Sequence, residues 1–170
     1  MKIKVYKQKN KLSCGPAALR MVMDFYSVNK SEKEIIKGVG GIKGYGVRTT
    51  DLATYARRLG FKVKYYSFNK KLTKDRAEFK KPNPELIKLF LKKRIPIILA
   101  VNSKVLYNNF KQSIKGHFIV IIKYQAGVYT YNDPRDGRQH TIKENDLLFT
   151  WYNNVLHSGA YLLAIWIHEK

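Results

Sequence analysis

Apolar residues recur with a helical period in the first part of the chain. The clearest case covers residues 14–25, where Ala17, Leu19, Met21 and Val22 belong to one apolar stripe. Ser13 precedes this stripe as a candidate N-cap, and proline is tolerated in a first helical turn. We therefore predict a buried helix that begins near Ser13 or Cys14.

Other segments show either helix boundaries or the two-residue alternation of strands. A short alternating strand is expected at residues 3–7, and another at residues 61–66. Caps and apolar periodicity predict three further helices. They are a helix with a Ser31–Glu34 capping box that ends at Gly38, a helix from Thr49 or Thr50 to Gly60, and a helix at residues 83–94 capped by Asn83.

The pattern changes after residue 95, where β-rich apolar runs alternate with turns. Strands are predicted at residues 96–101, 117–124, 127–132 and 161–167, with a short helix at residues 143–152. Helices come first and a mostly antiparallel sheet second, which favours an α+β fold over a doubly wound parallel sheet. We expect one domain over residues 1–170, with a mainly helical half at residues 1–95 and a mainly β half at residues 96–170.

The charge of the chain is extreme. Lys and Arg number 33 against 12 Asp and Glu, which gives a formal net charge of +21 and an isoelectric point near 10.0. Such a field attracts acidic peptides and nucleic acids alike. Rings and cations also interleave in "YYSFNKK" and "YNNFK", as they do in single-strand binders, although no nucleic-acid motif is recognisable. A basic nucleic-acid-binding protein is therefore one alternative.

Composition argues against several other classes. The glycine-rich segment at residues 38–47 lacks the Lys-Ser/Thr of a phosphate-binding loop. The single cysteine cannot form an internal disulfide, and the four histidines show no metal-binding spacing. No run is long enough to span a membrane, and no secretory signal is visible. We therefore expect a cytoplasmic protein with neither a cofactor nor a metal.

Cys14 is the candidate nucleophile. The start of a helix exposes unpaired N–H groups, which lower a thiol pKa and can hold an oxyanion. Gly15 leaves room for a substrate backbone close to the sulfur. The alternative for a lone cysteine before an apolar run is a small buried hydrophobe.

Three other residues complete a possible site. His117 begins one predicted strand, and Asp133 ends the next. A hairpin between these strands brings the carboxylate back toward the imidazole, provided that the register does not slip. Gln8 lies six positions before Cys14, where its amide is able to face the same oxyanion. The alternative is an ordinary exposed glutamine among lysines, which the chemistry alone favours.

"QKNKLSCGPAALRMVMDFY", followed by "GHFIVIIKY" and "YNDPRDG", resembles the bacteriocin-processing cysteine peptidases, papain-like enzymes that cut double-glycine leader peptides. The resemblance covers nearly the whole chain. It implies a papain-like fold with the nucleophile at a helix N-terminus packed on the sheet. It also implies Cys14 as nucleophile, His117 as general base and acid, Asp133 as its orienting partner and Gln8 as an oxyanion donor.

The resemblance further implies hydrolysis after Gly-Gly or Gly-Ala in a peptide or protein substrate. The positive charge suits an acidic leader segment. Family members often carry an acidic residue before the cysteine, where this chain has Ser13. Many belong to ABC transporters, and we expect a free-standing member with a possible separate transporter as partner. A catalytically silent peptide binder and an acyltransferase remain alternatives.

Overall fold

A seven-stranded sheet crosses the centre of the computed structural model, which describes residues 1–73, 77–111 and 116–167. The strands in chain order are β1 (Lys62–Ser67), β2 (Glu78–Phe79), β3 (Ile97–Asn102), β4 (Gly116–Gln125), β5 (Val128–Asp133), β6 (Arg138–Lys143) and β7 (Leu162–Trp166). Their spatial order is β2-β1-β7-β3-β4-β5-β6. The pairing is antiparallel except between β1 and β2. The predicted α+β fold is confirmed.

Helices pack on both faces of this sheet. They are α1 (Cys14–Phe25), α2 (Glu32–Gly38), α3 (Thr49–Arg58), α4 (Lys70–Thr73), α5 (Pro84–Lys92), α6 (Ser103–Leu106) and α7 (Glu144–Tyr152), with a 3₁₀ turn at Val155–His157. Two buried clusters result, one under α1 and α3 and the other under α5 and α7. Among the described residues, no helix has the length and apolarity to cross a bilayer.

Strand β4 shows why the central strands have continuous apolar sequences. Phe118, Val120 and Ile122 belong to the cluster under α1, whereas Ile119 and Ile121 belong to the cluster under α5 and α7. Because both faces are covered, the strand lacks the polar alternation of a half-exposed one. This packing fixes the start of β4 beside the start of α1.

Most predicted elements are present, but the strand expected at residues 3–7 is wrong. This segment is held by single hydrogen bonds instead of a ladder. The Met1 amino group donates to the Ile122 carbonyl, and the Asn132 side chain donates to the Ile3 carbonyl. Alternation therefore reflects one-sided burial here, without strand pairing. The expectation of a single domain over residues 1–170, divided near residue 95, stays a prediction.

Local signals at the helix starts give mixed outcomes. The Ser31–Glu34 capping box is formed, and Asn83 accepts from the Glu85 N–H as predicted. Ser13 occupies the N-cap position of α1, but its side chain makes no capping bond. The Ser13 hydroxyl instead donates to the Asn10 carbonyl and accepts from the Asn10 N–H. Ser13 thus organises the turn that precedes Cys14.

Candidate active site

Cys14 is the first residue of α1 and is half-buried. Burial acts to raise its thiol pKa. The hydrogen bond and charge of His117 act in the opposite direction, together with the N–H groups of Phe118 and Gly15, and the pKa is held below its ordinary value. The site therefore favours the thiolate.

His117 is the second residue of β4 and is 7% exposed. Its Nε2 lies 2.8 Å from Oδ1 of Asp133, which leaves Nδ1 for the thiol of Cys14. Burial acts to lower the imidazole pKa, but the bonds and charges of Asp133 and Cys14 raise it to about 9. A lowered thiol pKa and a raised imidazole pKa together favour a thiolate–imidazolium pair.

Asp133 ends β5 and is 1% exposed. Its Oδ1 contacts His117 and accepts from the Arg135 N–H at 2.8 Å. Its Oδ2 accepts from the Tyr107 hydroxyl at 2.5 Å. Burial opposes ionisation, but these three partners lower the pKa of the carboxyl. The carboxylate is thus fixed in orientation and charge.

The predicted hairpin brings His117 and Asp133 together despite an irregular register. Strands β4 and β5 pair Val120 with Asn132, and the register shifts between Ile121 and Lys123. The shift falls between the turn and the site. A bulge of this kind bends a strand locally while the pairing continues beyond it.

Gln8 lies in the same cleft as Cys14 and His117. Its backbone N–H donates to the Pro134 carbonyl at 2.7 Å, which ties the segment to the end of β5. Its Nε2 donates to the Asn10 carbonyl at 2.6 Å, an interaction that sequence reasoning did not predict. The amide has a second N–H, so one donor remains for a ligand. Its Oε1 is buried without a hydrogen-bond partner among the described residues.

A cleft of about 710 Å³ contains these groups. Its lining comprises Gln8, Lys9, Asn10, Lys11, Leu12, Cys14, Tyr45, Gly46, Val47, Ser103, Tyr107, Gly116, His117, Phe118 and Arg135. Lys9, Lys11 and Arg135 provide the cationic part of this lining. No Asp or Glu is among the lining residues that the structure describes. The cleft therefore attracts groups that carry negative charge.

Tyr107 and Arg135 are site residues that sequence reasoning missed. The Tyr107 ring centroid lies 5.7 Å from that of His117, and the Arg135 guanidinium lies 4.1 Å from the Tyr107 ring centroid. Tyr107 follows the short helix α6, and no motif or spacing marked it. Arg135 is only two residues beyond Asp133, but the surrounding sequence "DPRDG" is typical of an ordinary turn and gave no sign of a site residue.

The expected role of Gly15 needs correction. Gly15 is buried, and a Cβ on it would lie 3.2 Å from both a Leu52 methyl and the Phe118 ring. Close packing of α1 against α3 and β4 thus accounts for this glycine. The structure gives no indication that it leaves space for a substrate.

One group of potential metal ligands occurs among the described residues: Asp133, Asp136 and His140, whose ligand atoms lie within 4.8 Å of one another. Asp136 already pairs with His140 at 2.8 Å. Asp133 already accepts from three donors. These ligand atoms therefore already take part in hydrogen bonds or ion pairs within the protein. The expectation that the chain uses no metal or cofactor stays a prediction.

The fold of the chain is similar to those of several solved peptidase structures. At 20% identity and a TM-score of 0.59, the chain is similar to a double-glycine-motif protease from an AMS/PCAT transporter, solved with its leader peptide; 96% of this chain and 91% of that one are covered. The peptidase domain of Streptococcus ComA, a bifunctional ABC transporter of a quorum-sensing pathway, is 17% identical with a TM-score of 0.59, covering 98% of each chain. A C39-like peptidase from Bacillus anthracis is 13% identical with a TM-score of 0.70, covering 100% of each.

The TM-scores, over nearly the whole chain, establish a shared fold, which confirms the predicted papain-like architecture. No curated protein matches the sequence. The sequence of residues 1–156 matches the Peptidase C39-like family, and the chain belongs to that family.

Proposed function

We propose that the protein is a cysteine peptidase that hydrolyses a peptide bond after small residues, at a Gly-Gly or Gly-Ala site. The observation that supports this best is the placement of Cys14 and His117 in one cleft, where His117 lowers the thiol pKa and its Nε2 lies 2.8 Å from the Asp133 carboxylate. A nucleophile, a base and an orienting group within bonding reach are the requirements of thiol acylation.

At the start of acylation, His117 holds the proton that it has taken from the Cys14 thiol. The Cys14 thiolate attacks the scissile carbonyl carbon, and the π electrons of that carbonyl move to its oxygen. The Cys14 N–H and the free amide N–H of Gln8 stabilise the resulting oxyanion. As the C–N bond breaks, His117 gives its proton to the leaving amine, and a thioester remains on Cys14.

Hydrolysis of the thioester restores the enzyme. His117, now neutral, removes a proton from water, and the hydroxide attacks the thioester carbonyl. The tetrahedral intermediate collapses with release of the Cys14 thiolate, which again forms an ion pair with the His117 imidazolium. Asp133 holds the imidazole in the tautomer that presents Nδ1 to the sulfur throughout.

The substrate preference rests on the relatives and on charge. One similar structure is a double-glycine-motif protease bound to a leader peptide, which supports small residues before the cut. Two similar structures come from transporters, and by analogy we include an ABC transporter as a partner. The cationic cleft favours an acidic leader. Cleavage of an acidic peptide is therefore expected to weaken as salt rises, while cleavage of its neutral counterpart changes little.

The nucleic-acid alternative loses part of its basis. Tyr65 and Tyr66 of "YYSFNKK" are only 2% and 3% exposed, and the Tyr107 hydroxyl of "YNNFK" is bonded to Asp133. These rings are not free to stack on bases, as single-strand binding requires. A gel shift at moderate salt tests what remains of this alternative.

Hydrolysis of peptides with a central Gly-Gly, followed by mass spectrometry, tests the proposal. The native protein is expected to release both fragments, and Cys14→Ala and His117→Gln to release neither. His140→Gln is the matched control, because His140 pairs with Asp136 and is not among the residues that line the cleft, and it is expected to retain activity. Cleavage by Cys14→Ala would refute the proposal. Peptide binding without cleavage by the native protein would indicate a silent relative, and products joined to an added amine would indicate acyl transfer.

A further inference from the structure

We propose that Arg135 makes the peptidase selective for an acidic residue on the leaving-group side of the scissile bond. This inference rests on the proposed function and specifies its substrate. An acidic leader lies before the cut, so the two preferences concern opposite sides of the same bond.

Arg135 is held in place at both ends. Its N–H donates to Oδ1 of Asp133 at 2.8 Å, and its guanidinium lies over the Tyr107 ring at 4.1 Å from the centroid. Tyr107 is in turn fixed by its hydroxyl bond to the other carboxylate oxygen. A guanidinium that is already oriented loses less conformational entropy when it binds.

The charge of Arg135 is available to a ligand. Its side chain is exposed and lines the cleft, and it takes part in no ion pair among the residues that the structure describes. The neighbouring carboxylate of Asp136 is engaged instead with His140 and the Arg138 N–H. Arginine binds a carboxylate through two parallel N–H bonds, so an Asp or Glu side chain is a suitable ligand.

The mechanism determines which side of the substrate meets Arg135. The acyl half stays on the sulfur of Cys14, while the leaving amine takes its proton from His117. The chain beyond that amine therefore extends past the imidazole. Asp133, which contacts Nε2 of this imidazole, also accepts from the Tyr107 hydroxyl and the Arg135 N–H, and the Tyr107 ring lies 5.7 Å from the imidazole. Lys9 and Lys11 belong instead to the segment before Cys14.

Four fluorescence-quenched peptides with a central Gly-Gly test the inference. They carry Asp or Asn either after the cut or at the matching position before the Gly-Gly. With native protein, Asp after the cut is expected to raise kcat/KM about three- to fivefold over Asn, a ratio typical of an exposed ion pair. Arg135→Gln is expected to abolish this ratio, and Arg135→Glu to invert it. The exposed Arg138 lies outside the cleft, so Arg138→Gln serves as a matched control that keeps the ratio.

Two results would overturn the assignment while leaving the peptidase intact. One is Cys14-dependent cleavage with equal kcat/KM for Asp and Asn after the cut. The other is a preference that survives in Arg135→Gln, which would assign it to another cation such as Lys9. Binding of the same four sequences, each labelled with a single fluorophore and no quencher, to Cys14→Ala, measured by fluorescence anisotropy, gives an independent reading of the ratio. Absence of any cleavage would refute the proposed function, and equal binding of the four peptides would then refute the role of Arg135 as well.

Discussion

Nε2 of His117 and Oδ1 of Asp133 lie 2.8 Å apart, although 16 positions separate the two residues in sequence. The contact joins the start of β4 to the end of β5, and both side chains are almost fully buried. A buried imidazole beside a carboxylate retains its proton more strongly than a free one. This relationship supports the thiolate state of Cys14, and the predictions below follow from it.

Replacement of Asp133 by Asn removes the charge that holds the His117 proton. We expect the imidazole pKa to fall from about 9, and kcat to fall by about a hundredfold or more, on the scale of general acid–base assistance. The amide also favours the wrong tautomer. NMR titration of the imidazole and steady-state hydrolysis measure the two effects.

Asp136→Asn is the matched control for that substitution. Its carboxylate is exposed and pairs with His140, not with His117. We expect its kcat and its His117 titration to resemble those of the native protein. Equal kcat in Asp133→Asn and the native protein would show that the carboxylate does not assist the imidazole.

Alanine substitutions at Gly137 and Gly127 separate the effect of backbone strain from the effect of displacing the segment that contains Lys7 and Gln8. Both have positive φ, 72° and 78°, so alanine is strained at either position. A Cβ at Gly137 would lie 2.8 Å from the Lys7 Cβ, whereas nothing lies within 4 Å of one at Gly127. We expect Gly127→Ala to cost about 1 kcal/mol of unfolding free energy with kcat retained.

Gly137→Ala is expected to cost more stability and to reduce kcat, because it displaces Lys7 and with it Gln8. Denaturant unfolding and hydrolysis rates, measured on both variants, test the difference. Full activity in Gly137→Ala, with stability equal to that of Gly127→Ala, would argue against a catalytic dependence on the position of this segment.

The stability of the protein is expected to depend on pH through the ionisation of Asp133, His117 and Cys14. The pKa of Asp133 lies below its ordinary 3.8, so its contribution is present above that pH and is lost as pH falls through the folded value. His117 is raised from 6.5 to about 9, so its contribution is complete below 6.5 and is lost toward 9. The lowered pKa of Cys14 has the opposite slope and offsets it.

Denaturant unfolding followed across pH measures this balance. The difference in unfolding free energy between the native protein and Asp133→Asn is expected to shrink as pH falls below 3.8, because Asp133 then becomes protonated. Between pH 6.5 and 9 the contributions of His117 and Cys14 to the unfolding free energy of the native protein are expected to have opposite slopes. A difference that stays constant down to the acid limit would contradict the assigned state of Asp133.

The sequence supported a prediction of which residues meet because each stands at an element boundary. Cys14 follows a capping position, while His117 and Asp133 bound a hairpin whose turn is visible in "YQAG". Their contact depends on the pairing of the two strands, which the short turn between them largely specifies. The hydrogen bond of Gln8 to Asn10 was not predictable, since it depends on the local turn around Ser13.

The elements and partners that escaped prediction lack a periodic signal. β6 is an edge strand whose residues remain largely exposed, so its sequence "RQHTIK" resembles a loop. β2 has only two residues. Tyr107 reaches Asp133 from outside the paired strands, and no spacing rule relates a loop tyrosine to a strand end.

The rate of Cys14 alkylation by iodoacetamide as a function of pH is the most direct test of the thiolate–imidazolium pair. The native protein should react at a rate that stays high well below the ordinary thiol pKa of about 8.5. The matched His117→Gln variant should lose this reactivity and respond only at higher pH. A native profile that rises as a single ionisation near 8.5, unchanged by His117→Gln, would contradict the account.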